Sequence, residues 1–354
     1  LAALDRDLGA PVHRESVAAP TGPEALLVYH RPAGAVKDLC LRLEEQAPVG
    51  RLYDLDVLSP GGEKLSRPQS RRCLICGGPV TGCSRSRAHG LAAIQAKTED
   101  ILRSFAAGHL AQLARQALED EVCLTPKPGL VDRRNTGAHD DMALPLFRRS
   151  AAALEPYFCR FVSLGMAGAS PAELQALGRE AEHAMLTATG GVNTHKGALY
   201  SFALLLSALG RSLTEGGDPF HTAAAIADAL PPASGTHGSA VRDQCGGVRQ
   251  EAISGFPTAR HMRELLSRSG ALAALTWSMS RLDDSTLVYR GGPEGLRYVQ
   301  QAASALLTLP ENALVPALEA LDDDLIARHL SPGGSADLLS LALFLDAAAP
   351  ETWL

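Results

Sequence analysis

The 354-residue sequence is short of several features, and each shortage closes off a class of function. There is no excess of basic residues. Thirty-three Lys and Arg stand against 39 Asp and Glu, a formal net charge of −6, whereas nucleic acid is held by a positive footprint. There is no long hydrophobic run; the most apolar stretch, around Ala198 to Leu209, is shorter than the ~20 residues a membrane-spanning helix needs. No basic leader with an apolar centre and a small-residue cleavage site directs export, so the cytoplasm is the expected compartment. Seven cysteines, an odd number in a chain of this size, do not make a disulfide framework. No fixed-period repeat is evident. The chain also opens on Leu1 rather than Met, which suggests a piece of a longer protein.

What is present describes an ordinary globular protein: 46% hydrophobic and 20% charged residues, long enough for two domains. Up to about Ala96 the pattern is mixed. Residues 25–29 (ALLVY) and 52–58 (LYDLDVL) have strand length and composition. Between them Val36, Leu39, Cys40 and Leu43 recur at helical spacing. From Thr98 onward the pattern is helical, beginning with the stripe Ile101, Leu102, Phe105, Leu110, Leu113, Ala117 and Leu118. Ser170-Pro171-Ala172-Glu173 reads as an N-cap, a first-turn proline and the third residue of a capping box. Further helices are expected near 194–213, 258–267, 271–281, 296–307 and 336–347. The expected architecture is a small α+β domain over 1–97 followed by an all-α domain over 98–354.

Four of the glycine pairs in the helical half stand out: Gly190-Gly191, Gly246-Gly247, Gly291-Gly292 and Gly333-Gly334. Three stand just before an expected helix, and each has a cation nearby: Lys196, Arg249, Arg290, and Arg328 or His329. Glycine lets backbone N–H groups approach an anion, and a helix N-terminus adds free donors and a favourable dipole. Any single pair reads equally as a turn; the four together favour a polyphosphate pocket. The sharpest segment is TGGVNTHKG, residues 189–197, where Asn193 and Lys196 share a helix face beside His195. Capping by Asn193 or Thr194 is the plainer reading of the same residues.

A second unusual segment is LTPKPGLVDRRNTGAHDDM, residues 124–142. It crowds Asp132, His139, Asp140 and Asp141 beside Lys127, Arg133, Arg134 and Asn135. Such carboxylates suit Mg²⁺, which prefers oxygen ligands and travels with substrate phosphates. His139-Asp140 also has the form of a phosphohydrolase dyad, and a solvated loop is the structural alternative.

In the mixed half, Asp54 and Asp56 stand two apart, so on a strand both would project from one face. Nucleotidyl-transfer enzymes use such a pair to hold Mg²⁺, and a nucleotidyltransferase-like mixed sheet is therefore the expected fold here. Downstream, Cys73, Cys76, Cys83 and His89 give C-x2-C-x6-C-x5-H, a ligand set that suits structural zinc. A buried cysteine pair beside a phosphate-gripping loop of Arg71, Arg72, Arg85 and Arg87 is the competing reading.

Residues from about Lys97 onward resemble the triphosphoribosyl-dephospho-CoA synthase family that serves citrate lyase, through TPKPGLVDRRNTGAHDDM, ATGGVNTHKG, GVRQEAISGF, LVYRGGPEGLRYVQ and LIARHLSPGGSADLL. Residues 1 to about 96 resemble the citrate lyase holo-acyl-carrier-protein synthase family, without its opening portion, through APTGPEALLV, PVGRLYDLDVLSPGG, RRCLICGG and CSRSRAH. The resemblance implies two steps. The first joins ATP to 3′-dephospho-CoA through the ribose and releases adenine. The second transfers the product to a serine of the apo acyl carrier protein and releases pyrophosphate.

Glycosyl transfer passes through an oxocarbenium-like state and needs a carboxylate to take the hydroxyl proton. Residue chemistry points to Asp132 or Asp141, then Glu251, as that base. Lys127, Lys196, Arg249 and Arg290 are expected to hold the triphosphate, with Arg133, Asn135, His139 and the pairs Gly190-Gly191, Gly291-Gly292 and Gly333-Gly334 with Ser335 around it. Asn193 and His195 would orient the ribose or the leaving adenine. Asp140 and Asp141 are candidates for Mg²⁺ there, as Asp54 and Asp56 are for the second step, with Arg51, Arg85 and Arg87. Two alternatives stand beside this reading: a metal-dependent nucleotide phosphohydrolase, or an N-terminal half that only docks a carrier protein. The carrier could also belong to a malonate decarboxylase using the same arm.

Overall fold

A computed structural model of the chain describes residues 2–19, 22–231 and 246–349. They divide into two compact units, Leu1–Phe105 and Ala106–Leu354.

The first unit opens with helix α1 (Ala2–Leu8) and an antiparallel hairpin of β1 (His13–Ala19) and β2 (Gly22–Val28), with His13 opposite Val28. Helix α2 (Ala33–Glu45) follows and places Leu39 and Cys40 in a small core with Leu4, Leu8 and Val57. Val36 and Leu43 pack against the same core, as their helical spacing requires. A 3-10 helix (Pro48–Leu52), the short helix α3 (Val80–Ser86) and the start of α4 (Leu91–Cys123) complete the unit.

The expected mixed sheet does not form among the described residues; the hairpin is their one sheet. Residues 52–58 are not a strand. The 3-10 helix ends at Leu52, and only Leu58 makes a bridge, to Lys64. The backbone here finds other partners: Leu55 donates its N–H to Glu44 Oε1 at 2.9 Å, and Arg71 donates to the Tyr53 carbonyl at 2.7 Å. Val57 accepts from the Leu65 N–H and Tyr53 donates to the Gly50 carbonyl, so side chains and local backbone take bonds that a neighbouring strand would otherwise supply.

The second unit is helical throughout its described residues: α5 (Leu144–Met166), α6 (Pro171–Thr189), α7 (Lys196–Glu215), α8 (Pro219–Ala229), α9 (Gly247–Ile253), α10 (Pro257–Met279), α11 (Ser285–Leu306), α12 (Glu311–Ala327) and α13 (Gly333–Ala348) follow the end of α4. Helix α7 lies at the centre, against α5, α6, α8 and α13, while α13 also packs on α10. The sequence explains its position. Leu199, Phe202, Leu204, Leu205, Leu206 and Leu209 point in all directions around α7, and all are buried. Helix α6 starts with the expected capping box: Ser170 accepts from the Glu173 N–H and Glu173 accepts from the Ser170 N–H at 2.8 Å. The two helices expected over 258–267 and 271–281 are halves of α10 that meet at Gly270, whose φ of +80° interrupts the helix. No helix among the described residues is long and apolar enough to cross a membrane.

Helices α5 and α7 touch backbone to backbone. A Cβ at Gly210 would lie 2.1 Å from the Val162 carbonyl oxygen, and one at Gly165 would lie 2.0 Å from that of Ser207. Gly210→Ala is therefore expected to destabilise the second unit by about 1–3 kcal/mol through overpacking. Gly178→Ala, at a helical position with open space around it, should instead stabilise it by up to about 1 kcal/mol. Denaturant unfolding followed by tryptophan fluorescence reads this unit alone, because both tryptophans, Trp277 and Trp353, belong to it. Equal midpoints for the two variants would contradict the close approach.

Candidate functional site

In the second unit, three helix N-termini meet around buried carboxylates. Asp284 caps α11, its Oδ1 accepting from the Thr286 N–H at 2.9 Å. Its Oδ2 accepts from the Ser335 N–H at 3.1 Å, at the start of α13. One carboxylate thus satisfies free amides of two helices. Glycine is needed for this approach: a Cβ on Gly334 would stand 3.0 Å from Asp284 Oδ2. Asp337, one turn into α13, packs against the start of α7 and accepts from the Ala198 N–H. There Gly197 has no room for a side chain, since a Cβ would lie 2.0 Å from Asp337 Oδ2.

Lys127 lies close enough to Asp337 for its charge to act on that carboxylate. It is 1% exposed and its ammonium donates to Glu121 of α4. Burial pushes the proton affinities of Glu121, Asp284 and Asp337 upward: Asp284 to about 6, Asp337 well above the usual carboxylate range. Neighbouring Glu121 and Asp284 push Asp337 further in the same direction. Asp337 keeps partial access to solvent, while Glu121 and Asp284 are enclosed.

His195, the N-cap residue of α7, is buried beside this group. Its Nδ1 is 2.7 Å from Ser150 Oγ, which accepts a hydrogen bond from Thr194. Phe147 meets the ring edge-on at 4.9 Å between centroids. Ser150, having accepted from Thr194, has its own proton to donate to Nδ1, which leaves the proton of the neutral ring on Nε2. Nε2 is buried and has no partner, as is the hydroxyl of Ser335. Burial first, and Lys127 second, lower the imidazole pKa to about 3.

The loop before α5 is tied by two acids. Asp132 accepts from the N–H groups of Lys127, Arg134 and Asn135 at 2.9, 2.6 and 3.1 Å. Buried Asp322 of α12 accepts from the Gly129 N–H, Arg134 and Asn135 at 2.8, 2.6 and 2.6 Å. Arg133 is exposed, with its N–H on Thr125. His139 uses both ring nitrogens, 3.0 Å from Ser331 Oγ and 3.0 Å from Arg290, so it does not form a metal dyad with exposed Asp140. Asp141 is also exposed.

Several cations expected around a triphosphate have protein partners. Arg290 also donates to the carbonyls of Ala138 and His329, Arg249 donates to that of Leu230, and Lys196 pairs with Glu182. Asn193 accepts from the Lys196 N–H at 3.2 Å. Glu251 caps α10, accepting from the Thr258 N–H and hydroxyl and the Ala259 N–H. The glycine pairs also differ from one another. Gly190 and Gly191 take positive φ and end α6; Gly246 and Gly333 open α9 and α13. Gly291 and Gly292 lie inside α11, where Gly292 kinks it and a Cβ on Gly291 would strike Leu330.

Glu121, Asp284, Asp322 and Asp337 were not marked by the sequence pattern as site residues. Asp284-Ser285-Thr286 does carry an N-cap signal. Glu121, Asp322 and Asp337 sit within helical runs, and only folding brings them in.

The first unit holds a cavity of about 280 Å³ beside α2. Asp54 and Asp56 both line it without sharing a strand, together with Lys37, Lys64, Arg67 and Arg71. Asp56 pairs with Lys64, and Arg71 lies 3.4 Å from Asp54 Oδ1. Buried Glu44 anchors Arg67 and Arg71 beneath them. Arg51 donates to the Arg72 carbonyl; Arg85 and Arg87 are exposed on and after α3. Nearby, the donor atoms of Cys73, Cys76, Cys83 and His89 all lie within 4.8 Å of one another, close enough to hold one metal ion. The N–H groups of Cys76 and Ile75 bond to Cys73 and lower its thiol pKa to about 6.

Buried, uncharged His195 gives a pH test of this geometry. Between about pH 3 and 6.5 the unfolded chain binds a proton on this ring that the folded chain does not, so acidification removes stability. From pH 7 to pH 5 the loss is about 2 kcal/mol. Asp284, with its folded value raised to about 6, acts in the opposite sense below that pH. His195→Gln should remove the first effect only, so the variant loses less stability than the parent on acidification. The same loss in both proteins, by tryptophan fluorescence in denaturant, would contradict a neutral buried ring.

Comparison with known families accounts for both units. Residues 107–353 match the family described as ATP:dephospho-CoA triphosphoribosyl transferase, and residues 2–105 match apo-citrate lyase phosphoribosyl-dephospho-CoA transferase. The chain is 37% identical over 368 residues to Protein CitXG of Haemophilus influenzae, covering 92% of this chain and 79% of that protein. It is 35% identical over 316 residues to 2-(5''-triphosphoribosyl)-3'-dephosphocoenzyme-A synthase of Haemophilus ducreyi, covering 76% of this chain and 98% of that one. The chain belongs to the ATP:dephospho-CoA triphosphoribosyl transferase family, with a phosphoribosyl-dephospho-CoA transferase segment fused ahead of it.

Proposed function

We propose that the second unit makes 2′-(5″-triphosphoribosyl)-3′-dephospho-CoA from ATP and 3′-dephospho-CoA at the meeting point of α7, α11 and α13. Family membership supports the reaction, and the partly exposed Asp337 among buried acids is the observation that supports the place. The bond from the ATP ribose C1′ to adenine breaks, and a bond from C1′ to a ribose hydroxyl oxygen of dephospho-CoA forms. The hydroxyl proton has to leave as that bond forms.

Asp337 is the base that takes this proton. Its raised proton affinity suits a group that must accept a proton near neutral pH. Asp132 and Glu251 are poorer choices, because each carboxylate already accepts several protein hydrogen bonds. Glu121 and Asp284 add negative charge near a sugar carbon that becomes positive in the transition state. The unpartnered Nε2–H of His195 can donate to the departing adenine or to the ribose. Asn193, Lys196, Arg249 and Arg290 frame the outer parts of the nucleotide, and Mg²⁺ is expected to arrive with its phosphates.

The first unit then joins this product to a serine of the citrate lyase apo acyl carrier protein. The serine oxygen bonds to the α-phosphorus, the bond to the β-phosphate oxygen breaks, and pyrophosphate leaves. The four cations of the cavity position the phosphates, since positioning and charge neutralisation supply most of this chemistry. Asp54 and Asp56 suit Mg²⁺, which when bound neutralises charge on the phosphates. The free cysteines among the described residues suit a reducing compartment such as the cytoplasm.

Incubation with ATP and dephospho-CoA should release adenine in equal amount to the coupled product. Asp337→Asn should lower kcat for adenine release by roughly 10²–10⁴-fold with an unchanged far-UV spectrum. Phosphate released in place of adenine would contradict the reading, and full activity in the variant would move the base elsewhere. A double variant, Asp54→Asn with Asp56→Asn, should leave adenine release intact and lose transfer to the apo carrier. Unimpaired transfer would remove these carboxylates from the second step.

A further inference from the structure

We propose that Cys73, Cys76, Cys83 and His89 form a structural zinc site that holds residues 71–90 of the first unit in place. Among the described residues from 58 to 100 none is fully buried, and residues 71–90 contribute nothing to the small core. Yet this stretch has a defined course, with a turn at 73–78, an Arg72–Pro79 bridge and helix α3. A segment without apolar burial needs some other source of order, and in small domains a metal or a disulfide supplies it.

The local geometry is that of a metal knuckle. In RRCLICGG, Cys73 donates its N–H to the Gly78 carbonyl at 2.7 Å, and Gly77 donates to the Cys73 carbonyl at 3.0 Å. Gly77 has a φ of +70°, a conformation open to glycine. The turn aims the N–H groups of Ile75 and Cys76 at the Cys73 sulfur, an arrangement that supports a thiolate bound to a cation. Helix α3 brings in Cys83, and Arg87 in the left-handed region turns the chain so that His89 returns to the same point. All four donor atoms then lie within 4.8 Å of one another, close enough to converge on one tetrahedral ion by small side-chain shifts. His89 Nε2 is buried and has no hydrogen-bond partner, so the ion also answers an otherwise unpaired nitrogen.

A disulfide fits less well. Cys76 and Cys83 sulfurs are 3.4 Å apart, well beyond the ~2.05 Å bond, and joining them would leave Cys73 and His89 without a partner. Three soft thiolates and one imidazole in a closed set select zinc over the oxygen-preferring ions. The site is structural because four protein ligands leave no open position for substrate. It begins two residues after Arg71, which reaches Glu44 and Asp54 in the cavity, so the ion also fixes one wall of that cavity.

The test uses the full chain purified under reducing conditions from zinc-replete cells, with metal content measured by mass spectrometry after gel filtration. One zinc per chain is expected. Replacement by Co²⁺ should give the visible and near-ultraviolet bands of a tetrahedral thiolate site. Cys83→Ser and His89→Ala should lose the metal, while Cys123→Ser, in the second unit, should keep it. Zinc content and the Co²⁺ spectrum are read on the parent chain, so the test stands whatever the folding of the variants. No zinc, together with no thiolate–Co²⁺ bands in chain whose free thiols are confirmed by titration, would overturn the proposal. So would zinc that survives loss of both Cys83 and His89.

Discussion

Buried carboxylates at helix N-termini are the constraint on which the second unit depends. A helix start presents amides without partners, and enclosing them in a core is costly unless an acceptor comes with them. Asp284 meets that need for α11 and α13 together, and Asp337 meets it at α7. The cost is transferred to the acids, whose charge is then held in a poor solvent, and their proton affinities rise in consequence. Lys127 offsets part of this charge through Glu121. A fold that packs three helix starts together thereby gains a carboxylate ready to take a proton.

The glycines follow from the same constraint. Gly197 and Gly334 allow acid side chains to approach the backbone of α7 and α13. Gly165 and Gly210 allow α5 to press against α7 and fix its position in the core. Gly129, with φ of +70°, turns the loop beside Leu330. These are positions where a Cβ would displace backbone or an acid side chain.

Sequence alone carried a good part of this. The long family stretches, the capping box at Ser170, the α2 core face and the Cys73/Cys76/Cys83/His89 spacing are all local patterns, set by residues near one another in the chain. Of the three helices whose starts meet, only α13 begins at a glycine pair, and the carboxylate of Asp284 accepts from the first amides of α11 and α13. What stayed hidden is non-local. The three backbone donors that hold Asp132 are invisible in the sequence, and Asp337 looks like a surface helix residue until Gly197 lies against it. The strand expected at 52–58 had the right composition and lacked only a partner, which no local pattern reveals.

The central claim is that glycosyl transfer occurs where α7, α11 and α13 begin. A crystal structure with dephospho-CoA and a C-nucleoside analogue of ATP, whose base–sugar bond cannot break, tests it most directly. The account predicts the analogue's C1′ between Asp337 and His195, with the accepting ribose hydroxyl of dephospho-CoA hydrogen-bonded to Asp337. A nucleotide bound elsewhere in the unit, with Asp337 and His195 out of reach of the sugar, would contradict it.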